Sequence, residues 1–383
     1  MGIMVRQVLS NAVIFEDDEL ELTHGYVVIR GGVIEEVGEG SPPKHGVDLK
    51  RGFVLPPFIN AHTHIADAVA KELYLRKTQP QVVGPEGAKF RAIKKPGREL
   101  VGAIRTELEE MFRTGTLAHC DFREGGLAGV KVLQKARHSC VESVVLGRIS
   151  KWAELKDLLR ACDGLGLPSL DALDSQELRG VAQELSEVNK ILALHIAETK
   201  EAQEASMRAY WKSEVTRALV LHPSFVVHAT WASDDDLVSL RKANTPAVFC
   251  ARANSVLGVG VPPIHRALEL GVRFCLGTDN VAVCQPDMFS ELAFAWACVR
   301  RADSRVGGEE ARALLRAATI EPLKIFDLPW GGIHENAPAT FLVLSRGYNL
   351  LNLTDPYAGL VNRARADNLA AIFVDGKRFK PRN

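Results

Sequence analysis

Eight short apolar segments alternate with longer amphipathic stretches between residues 53 and 279, and this alternation restricts the fold more than any other feature of the sequence. The apolar segments have the length and composition of buried strands, and they lie at 53–64, 116–122, 142–148, 163–169, 191–198, 224–230, 246–252 and 272–279. Helical patterns lie between most of them, at 99–115, 151–164, 174–190, 233–244 and 264–271. Strands and helices that alternate in this way predict an α/β protein with a (β/α)8 TIM barrel, whose usual size is roughly 250 residues.

The two ends of the chain have a different pattern from the middle. Residues 1–52 contain short β-rich pieces separated by glycine-containing turns, and similar pieces recur at 340–346 and 370–380. Neither end has enough apolar surface to form a core alone. We therefore expect 1–52 and 335–383 to pair into one small β-sandwich-like domain, with 53–334 forming the barrel.

The composition excludes several classes of partner. Lysine plus arginine equals aspartate plus glutamate at 47 each, so no overall charge favours nucleic acid or an acidic membrane. Seven cysteines without a C-x-x-C pair indicate reduced thiols in the cytoplasm. The N-terminus reaches charged residues too soon for a signal peptide, and no apolar run approaches the roughly 18 residues of a membrane span.

Residues that could bind a metal ion lie at the ends of the predicted barrel strands. His62 and His64 end the first strand, His195 lies near the end of the fifth, and His228 lies on the sixth. The eighth strand ends with Asp279. In a barrel of this type these ends meet at the catalytic mouth. Imidazole and carboxylate ligands suit Zn²⁺ or another borderline divalent ion, such as Fe²⁺ or Mn²⁺.

Five motifs in order, PPFINAHTH, LALHIAET, VVHATW, CARANSVLG and CLGTDN, resemble those of the amidohydrolase superfamily. The most similar branch contains the cytosine, guanine and adenosine-type deaminases and the triazine chlorohydrolases. The resemblance implies one metal ion bound by four residues, and catalytic roles for two more. The implied ligands are His62, His64, His195 and Asp279, and the further catalytic residues are Glu198 and His228.

The sequence departs from the family pattern in places that affect the substrate more than the metal. Asn60 replaces the usual aspartate before the histidine pair, and HCDFREGG at 119–126 replaces a shorter ending of the second strand. The region after His64 lacks the family's common Arg-Gly and tryptophan-containing loop. The fourth strand, 163–169, also lacks the lysine that bridges two metals in other members, and Lys151 is the nearest alternative. One metal is therefore favoured over two.

These features predict a hydrolytic deaminase of a nucleobase-like or other nitrogen heterocycle. Hydroxide generated at the metal would attack a C=N carbon, and ammonia would leave. Asp279 would accept a proton from the water, Glu198 would protonate the ring nitrogen, and His228 would hold the nucleophile or stabilise the developing charge. Hydrolysis of an amide, a cyclic amide or a C–Cl bond at the same site is the alternative. A non-catalytic binding module is disfavoured because the ligand set is complete.

Several other residues are candidates for contacts with a small heterocyclic substrate: Arg123, Arg148, Trp231, Asn254 and Asn280. The arginines could grip a carboxylate or phosphate, or could pair with acidic neighbours. Residues 76–98 contain seven basic residues and one acidic residue, and they follow the first strand. This segment is either a lid over the barrel mouth or a solvated flexible loop. A homo-oligomer is the habit of the family and is expected on that ground alone.

Overall fold

The computed structural model describes residues 6–42, 46–84, 86–149 and 154–381 of this mixed α/β protein. Its strands within these residues are β1 (Arg6–Glu16), β2 (Glu21–Arg30), β3 (Val33–Glu39), β4 (Val47–Leu55), β5 (Phe58–His64), β6 (Thr116–Arg123), β7 (Glu142–Gly147), β8 (Gly164–Leu167), β9 (Ile191–Ile196), β10 (Phe225–His228), β11 (Ala247–Phe249), β12 (Phe274–Leu276), β13 (Asp279–Asn280), β14 (Phe341–Leu344), β15 (Leu369–Val374) and β16 (Lys377–Phe379).

The helices of the same residues are α1 (Gln79–Val83), α2 (Ala88–Ala92), α3 (Gly97–Arg113), α4 (Gly126–Ala136), α5 (Leu155–Ala161), α6 (Ser175–Glu187), α7 (Lys200–Tyr210), α8 (Glu214–Leu219), α9 (Asp234–Lys242), α10 (Ala251–Val256), α11 (Ile264–Glu269), α12 (Met288–Ala302), α13 (Gly308–Phe326) and α14 (Pro356–Arg363). Short 3₁₀ helices occur at Ile65–Ala70, Tyr348–Leu350 and Ala366–Asn368. No helix in the described ranges combines the length and apolarity that crossing a bilayer would require.

The central sheet is parallel and runs in the order β12-β11-β10-β9-β8-β7-β6-β5-β13. Strand β12 pairs with β11 at one edge, whereas β13 pairs with β5 at the other edge. Because β12 and β13 are separated by only two residues, one stretch of chain borders both edges and the sheet curls to bring them together. This order is consistent with the predicted (β/α)8 architecture, and it gathers the ends of β5, β9, β10 and β13 at one place.

The prediction of a single strand from Phe53 to His64 is wrong. Residues up to Leu55 belong to β4, which pairs with β1 and β14, and the chain enters the parallel sheet only at Phe58. Pro56 and Pro57 lie between the two strands. Prolines have no amide hydrogen to donate, so a sheet ladder is interrupted where they occur. The change of sheet therefore falls at this proline pair, just beyond the predicted boundary at residue 53.

Both ends of the chain contribute to a second, seven-stranded sheet with the order β16-β15-β14-β4-β1-β2-β3. Its hydrogen bonds join strands from before residue 56 and after residue 340 into one sheet. A buried apolar cluster that includes Ile14, Val54 and Phe341 lies on one side of it. Other side chains of the same strands, such as Phe53 and Leu342, pack into the large core that also contains the barrel helices.

The basic segment after the first barrel strand is folded rather than extended. It forms α1, α2 and the beginning of α3, and Val82 and Lys89 are buried. The predicted helical patterns at 233–244 and 264–271 correspond to α9 and α11. Helix α9, for example, begins after Ser233, whose hydroxyl accepts a hydrogen bond from Asp236 N, which satisfies one of the free amides of the first turn.

Candidate metal centre and pocket

Five side chains from four strands converge on one point at the ends of β5, β9, β10 and β13. His62, His64, His195, His228 and Asp279 are each at least nine-tenths buried. His62 Nε2 lies 3.2 Å from Asp279 Oδ1 and 3.2 Å from His195 Nε2. His64 Nε2 lies 3.6 Å from Asp279 Oδ1. The structure thus brings together the four predicted ligands and His228.

The imidazoles are oriented so that they can offer Nε2 to a cation. His195 Nδ1 donates to the Leu167 carbonyl at 2.9 Å, so the lone pair of the neutral ring is on Nε2. His64 Nδ1 lies 2.8 Å from Glu124 Oε1, a short contact outside ideal hydrogen-bond angles. Partners of this kind fix the orientation of metal-binding histidines. Imidazole nitrogens and a carboxylate oxygen gathered at such distances are the donor set that a divalent ion needs.

Burial of the imidazoles and the contacts of the carboxylate favour the protonation states that metal binding requires. Burial lowers the pKa of His62 to about 3, although the hydrogen bond with Asp279 opposes this effect. Burial also holds the pKa of His195 well below its ordinary value. For Asp279, burial alone would raise the pKa, but the His62 contact and the other nearby imidazoles bring it below its usual range. Neutral imidazoles and an ionised carboxylate are the forms that bind a metal.

Glu198 and His228 lie side by side at this centre. Glu198 Oε2 is 3.8 Å from His228 Nε2, and the Glu198 side chain is 19% exposed, which leaves it open to the pocket. His228 Nδ1 donates to Asn254 Oδ1 at 3.1 Å, and the amide of Asn254 donates in turn to the Thr230 hydroxyl. Asn254 is fully buried and directs Nε2 of His228 toward Glu198.

The backbone is strained at the same strand ends. Ala197, His228, Ala229 and Asp279 all have positive φ angles, between 44° and 72°. Such conformations cost non-glycine residues roughly 1–3 kcal/mol each and occur often at functional sites. The buried carboxylate of Glu214 accepts a hydrogen bond from Ala197 N at 2.6 Å and so supports the turn before Glu198. Nothing in the local sequence marked Glu214 for this role.

A pocket of about 450 Å³ opens above the centre, within the usual size range of small-molecule sites. One end is lined by Glu198 and by members of the histidine–aspartate cluster, namely His64, His195, His228 and Asp279. Apolar side chains of Val83, Phe90 and Leu257 line the walls, together with Gln79 from α1. An aromatic and aliphatic wall facing a polar floor suits a flat heterocycle.

A buried charged network lies beside the ligands. Lys89 Nζ is 3.2 Å from Asp67 Oδ2 and 2.7 Å from Glu124 Oε1, and Arg148 Nη1 is 3.7 Å from the same Glu124 oxygen. Burial alone would raise the pKa of Glu124, but Lys89, His64 and Arg148 hold that pKa well below its usual range. For Lys89 likewise, the nearby carboxylates outweigh burial and raise the pKa. Sequence reasoning missed Lys89 and the link from Glu124 to His64.

The five predicted substrate contacts have different surroundings. Arg148 lines the pocket, and its Nε is buried without a hydrogen-bond partner in the described ranges. Arg123 is buried 3.8 Å from both Asp121 and Glu124. Lys151, the candidate for bridging two metals, lies outside the described residues.

The remaining three predicted contacts bind neighbouring residues of the protein. Asn280 donates to Asp67 at 2.7 Å, whereas Asn254 supports His228 as described above. Trp231 is 40% exposed and donates to the Val259 carbonyl at 2.6 Å. None of these three is among the described residues that line the pocket.

The fold and the buried histidine–aspartate cluster define a hydrolase-type barrel with a divalent-metal site, and comparison with known proteins identifies the family. Residues 53–379 match the Amidohydrolase family. A protein of Methanothermobacter thermautotrophicus is 30% identical over 97% of this chain and 99% of its own length. The chain therefore belongs to the amidohydrolase family, which confirms the predicted family and the predicted class of hydrolase.

Two further proteins illustrate the range of this similarity. The 5-methylthioadenosine/S-adenosylhomocysteine deaminase of Pyrococcus furiosus is 26% identical over 97% of this chain and 94% of its own. The crystal structure of atrazine chlorohydrolase from Arthrobacter aurescens, complexed with zinc, superposes with a TM-score of 0.81 at 17% identity, covering 97% of this chain and 94% of that chain. At this low identity, the similarity to the chlorohydrolase shows a shared fold and nothing more.

Proposed function

We propose that this amidohydrolase is a hydrolytic deaminase of a nucleobase-like or other nitrogen heterocycle and uses one divalent ion, Zn²⁺. The observation that carries the proposal is the Glu198 carboxylate, which lies beside His228 and is open to a pocket that ends at the ligand cluster. His62, His64, His195 and Asp279 would hold the ion. When bound, a divalent ion of this kind supplies a nucleophile at neutral pH by lowering the pKa of water to about 7.

The residues around the ligands supply the proton transfers. Asp279, an ionised carboxylate, accepts a proton from the attacking water. Glu198, in its protonated form, delivers a proton to the ring nitrogen, which makes the adjacent carbon more electrophilic. As the C–N bond breaks, the amino group takes the proton that Asp279 accepted from the water and leaves as ammonia, and the hydroxyl proton of the same carbon returns to Glu198 as the C=O bond forms. His228 presents Nε2 because Asn254 accepts from its Nδ1, and it holds the nucleophile or stabilises the developing charge.

Three considerations support this choice of reaction and metal. A relative over nearly the whole chain is named as a deaminase of adenine-containing compounds, and a protein of the same fold was crystallised with zinc. Strand β8, Gly164–Leu167, contains no lysine that could be carboxylated to bridge two metals. Fe²⁺ and Mn²⁺ would suit the same ligands and are the competing ions.

Hydrolysis of an amide, a cyclic amide or a C–Cl bond is the second candidate. The similarity of fold to a chlorohydrolase is the observation that favours it, since one fold and one ligand set serve several reactions. A heterocycle panel scored in parallel for ammonia, carboxylate and chloride separates the two. Release of chloride or carboxylate without ammonia would replace the deaminase proposal.

The remaining sequence-based expectations stay predictions. All seven cysteines are free thiols, which supports a cytoplasmic location. We also propose that the sheet built from both chain ends is a separate domain, 1–52 with 335–383, and that the chain forms a homo-oligomer. Proteolytic fragmentation and light scattering, respectively, test these two points.

The Glu198→Gln variant tests the proposed reaction. The amide keeps the size of the carboxylate but cannot carry the proton, so turnover should fall by about 10²- to 10⁴-fold. Metal content, measured by elemental analysis, should stay near one ion per chain because Glu198 is not a proposed ligand. Glu201→Gln, an exposed glutamate on the following helix α7, is the matched control and should keep full activity. Full ammonia release by Glu198→Gln would refute the assigned proton transfer.

A further inference from the structure

Helix α1 contacts the proposed catalytic carboxylate directly. Gln79 is the first residue of α1, and its Nε2 donates to Glu198 Oε1 at 2.8 Å. Within residues 6–42, 46–84, 86–149 and 154–381, this amide is the one group that donates a hydrogen bond to that carboxylate. Gln79 and Glu198 both line the pocket that ends at the metal-binding cluster.

From this contact we propose that Gln79 is a positioning residue for Glu198. The proposal rests on the proposed function, in which Glu198 moves protons. By holding Oε1, the Gln79 amide leaves Oε2 directed toward His228 Nε2, at 3.8 Å. The residue acts through Glu198 and does not itself transfer a proton.

A glutamate carboxylate needs such a partner more than a shorter side chain does. Rotation about its last bond is broad and roughly two-fold, so an unheld carboxylate samples many orientations. Glu198 is also partly exposed, and its backbone follows the strained turn at Ala197. A neutral amide donor fixes the plane of the carboxylate without introducing a competing charge next to the metal ligands. Misplacement of a catalytic group by about 1 Å can cost about 100-fold in rate.

Helix α1, which carries Gln79, packs against α2. Lys89 on α2 is buried and contacts Asp67 and Glu124, with distances of 3.2 Å and 2.7 Å to their carboxylates. Helix α1 therefore packs against a helix that is anchored by a buried ion pair not involving Glu198. Removing the Gln79 amide should leave the helices where they are.

The central experiment compares Gln79→Met with Gln81→Met in the metal-loaded full chain. Methionine matches glutamine in length but cannot donate. Gln81 lies on the same helix, is exposed, and accepts from Thr78 N rather than contacting Glu198. We expect Gln79→Met to lower kcat about 10- to 100-fold with KM little changed, and Gln81→Met to keep the wild-type kcat. An unchanged kcat for Gln79→Met, or a raised KM alone, would overturn the proposal.

The isosteric Gln79→Glu variant adds a pH readout that a purely structural role would not produce. A carboxyl at position 79 can donate to Glu198 only when it is protonated. Its rate relative to wild type should therefore rise as the pH is lowered towards the ordinary carboxyl range, about pH 4–5. A ratio that stays constant with pH would contradict positioning by a donated hydrogen bond, even if Gln79→Met proved unstable.

Failure of this inference can be distinguished from failure of the proposed function. If the wild type releases ammonia and Glu198→Gln does not, the function stands, and normal kcat in Gln79→Met then refutes Gln79 alone. If Glu198→Gln is fully active, the function itself fails, and with it the role of Gln79. Metal content measured for every variant excludes loss of the ion as the cause.

Discussion

Arg148 lines the pocket and differs from Lys89 in being farther from its carboxylate neighbour, and its Nε has no hydrogen-bond partner within the described residues. Lys89 has carboxylates at 3.2 Å and 2.7 Å, whereas the nearest carboxylate oxygen to Arg148, that of Glu124, is 3.7 Å away. The Arg148 side chain is 16% exposed and lines the pocket. A guanidinium in this situation matches the planar, two-oxygen face of a carboxylate or phosphate. We propose that it binds an anionic substituent of the substrate.

Replacement of Arg148 should therefore discriminate against anionic ligands. Arg148→Met should weaken binding of an anionic heterocycle about 10- to 100-fold, the value of a charge-assisted hydrogen bond, and barely affect a neutral one. Adenosine and adenosine 5′-monophosphate form a suitable pair of probes in inhibition assays. Arg160→Met, at an exposed position on α5, is the control. Equal effects on both probes would contradict the role.

Among single residues, the sequence predicted the side chains of the proposed ligand cluster better than those that support them. His62, His64, His195 and Asp279 follow strand signals and recognisable motifs, so their convergence could be anticipated. Gln79, Lys89 and Glu214 act through contacts with residues far away in the chain, and their local sequence carries no signature. Their roles depend on how α1, α2 and α8 pack, which spacing alone does not determine.

Among the elements, the contact between β5 and the β12–β13 segment brings two proposed ligands, His62 and His64, close to a third, Asp279. Asn60 Nδ2 donates to the Thr278 hydroxyl at 2.7 Å, and Thr278 N donates back to Asn60 Oδ1 at 3.0 Å. The family's usual aspartate could not donate to the hydroxyl in this way when ionised, so Asn60 suits this pairing. Gly277 permits the close approach, because a Cβ there would lie 2.8 Å from His62 Cβ and from His62 N.

The Gly277→Ala substitution should therefore impair the metal site. A methyl group cannot fit against the backbone of His62, so either His62 or β12 must move. We expect metal affinity to fall about 10- to 100-fold, as when the support of a metal-binding residue is lost, measured by competition with a chelator. Gly102→Ala in α3 meets open space and should retain wild-type affinity with slightly raised stability. Unchanged metal affinity in Gly277→Ala would contradict this prediction and show that His62 or β12 can move without disturbing the site.

Element types were easier to predict than element limits. The alternation of strands and helices indicated the parallel sheet, and Ser233 marked the start of α9. The single strand across Phe53–His64 was wrong because apolar content suggested continuity, whereas the missing amide hydrogens of Pro56 and Pro57 break the ladder. The sequence did not decide whether the basic segment 76–98 is a lid or a flexible loop. Its burial depends on contacts between Lys89 and two carboxylates, Asp67 and Glu124, of which Glu124 is distant in the chain.

In the whole molecule, burying neutral histidines makes stability depend on pH. His119 is fully buried on β6, with Nδ1 3.0 Å from the Thr63 hydroxyl and Nε2 2.8 Å from the Ser143 hydroxyl. Burial lowers its pKa to about 3. Between that value and its ordinary value of 6.5 the unfolded chain binds a proton that the folded chain does not. The free energy of unfolding must therefore fall as the pH decreases through this interval.

Replacing His119 with an uncharged residue should remove part of this dependence. One proton bound only by the unfolded state contributes a slope of about 1.4 kcal/mol per pH unit. We expect urea unfolding of the metal-free protein, followed between about pH 5 and 6.5, to show a shallower slope in His119→Gln, by about half that amount near pH 6.5 and by nearly all of it near pH 5. His62 and His195 remain in both proteins, so their contributions cancel in the difference. His24→Gln, at an exposed position, provides the baseline. Parallel curves for wild type and His119→Gln would mean that the folded protein already accommodates a protonated imidazole at position 119.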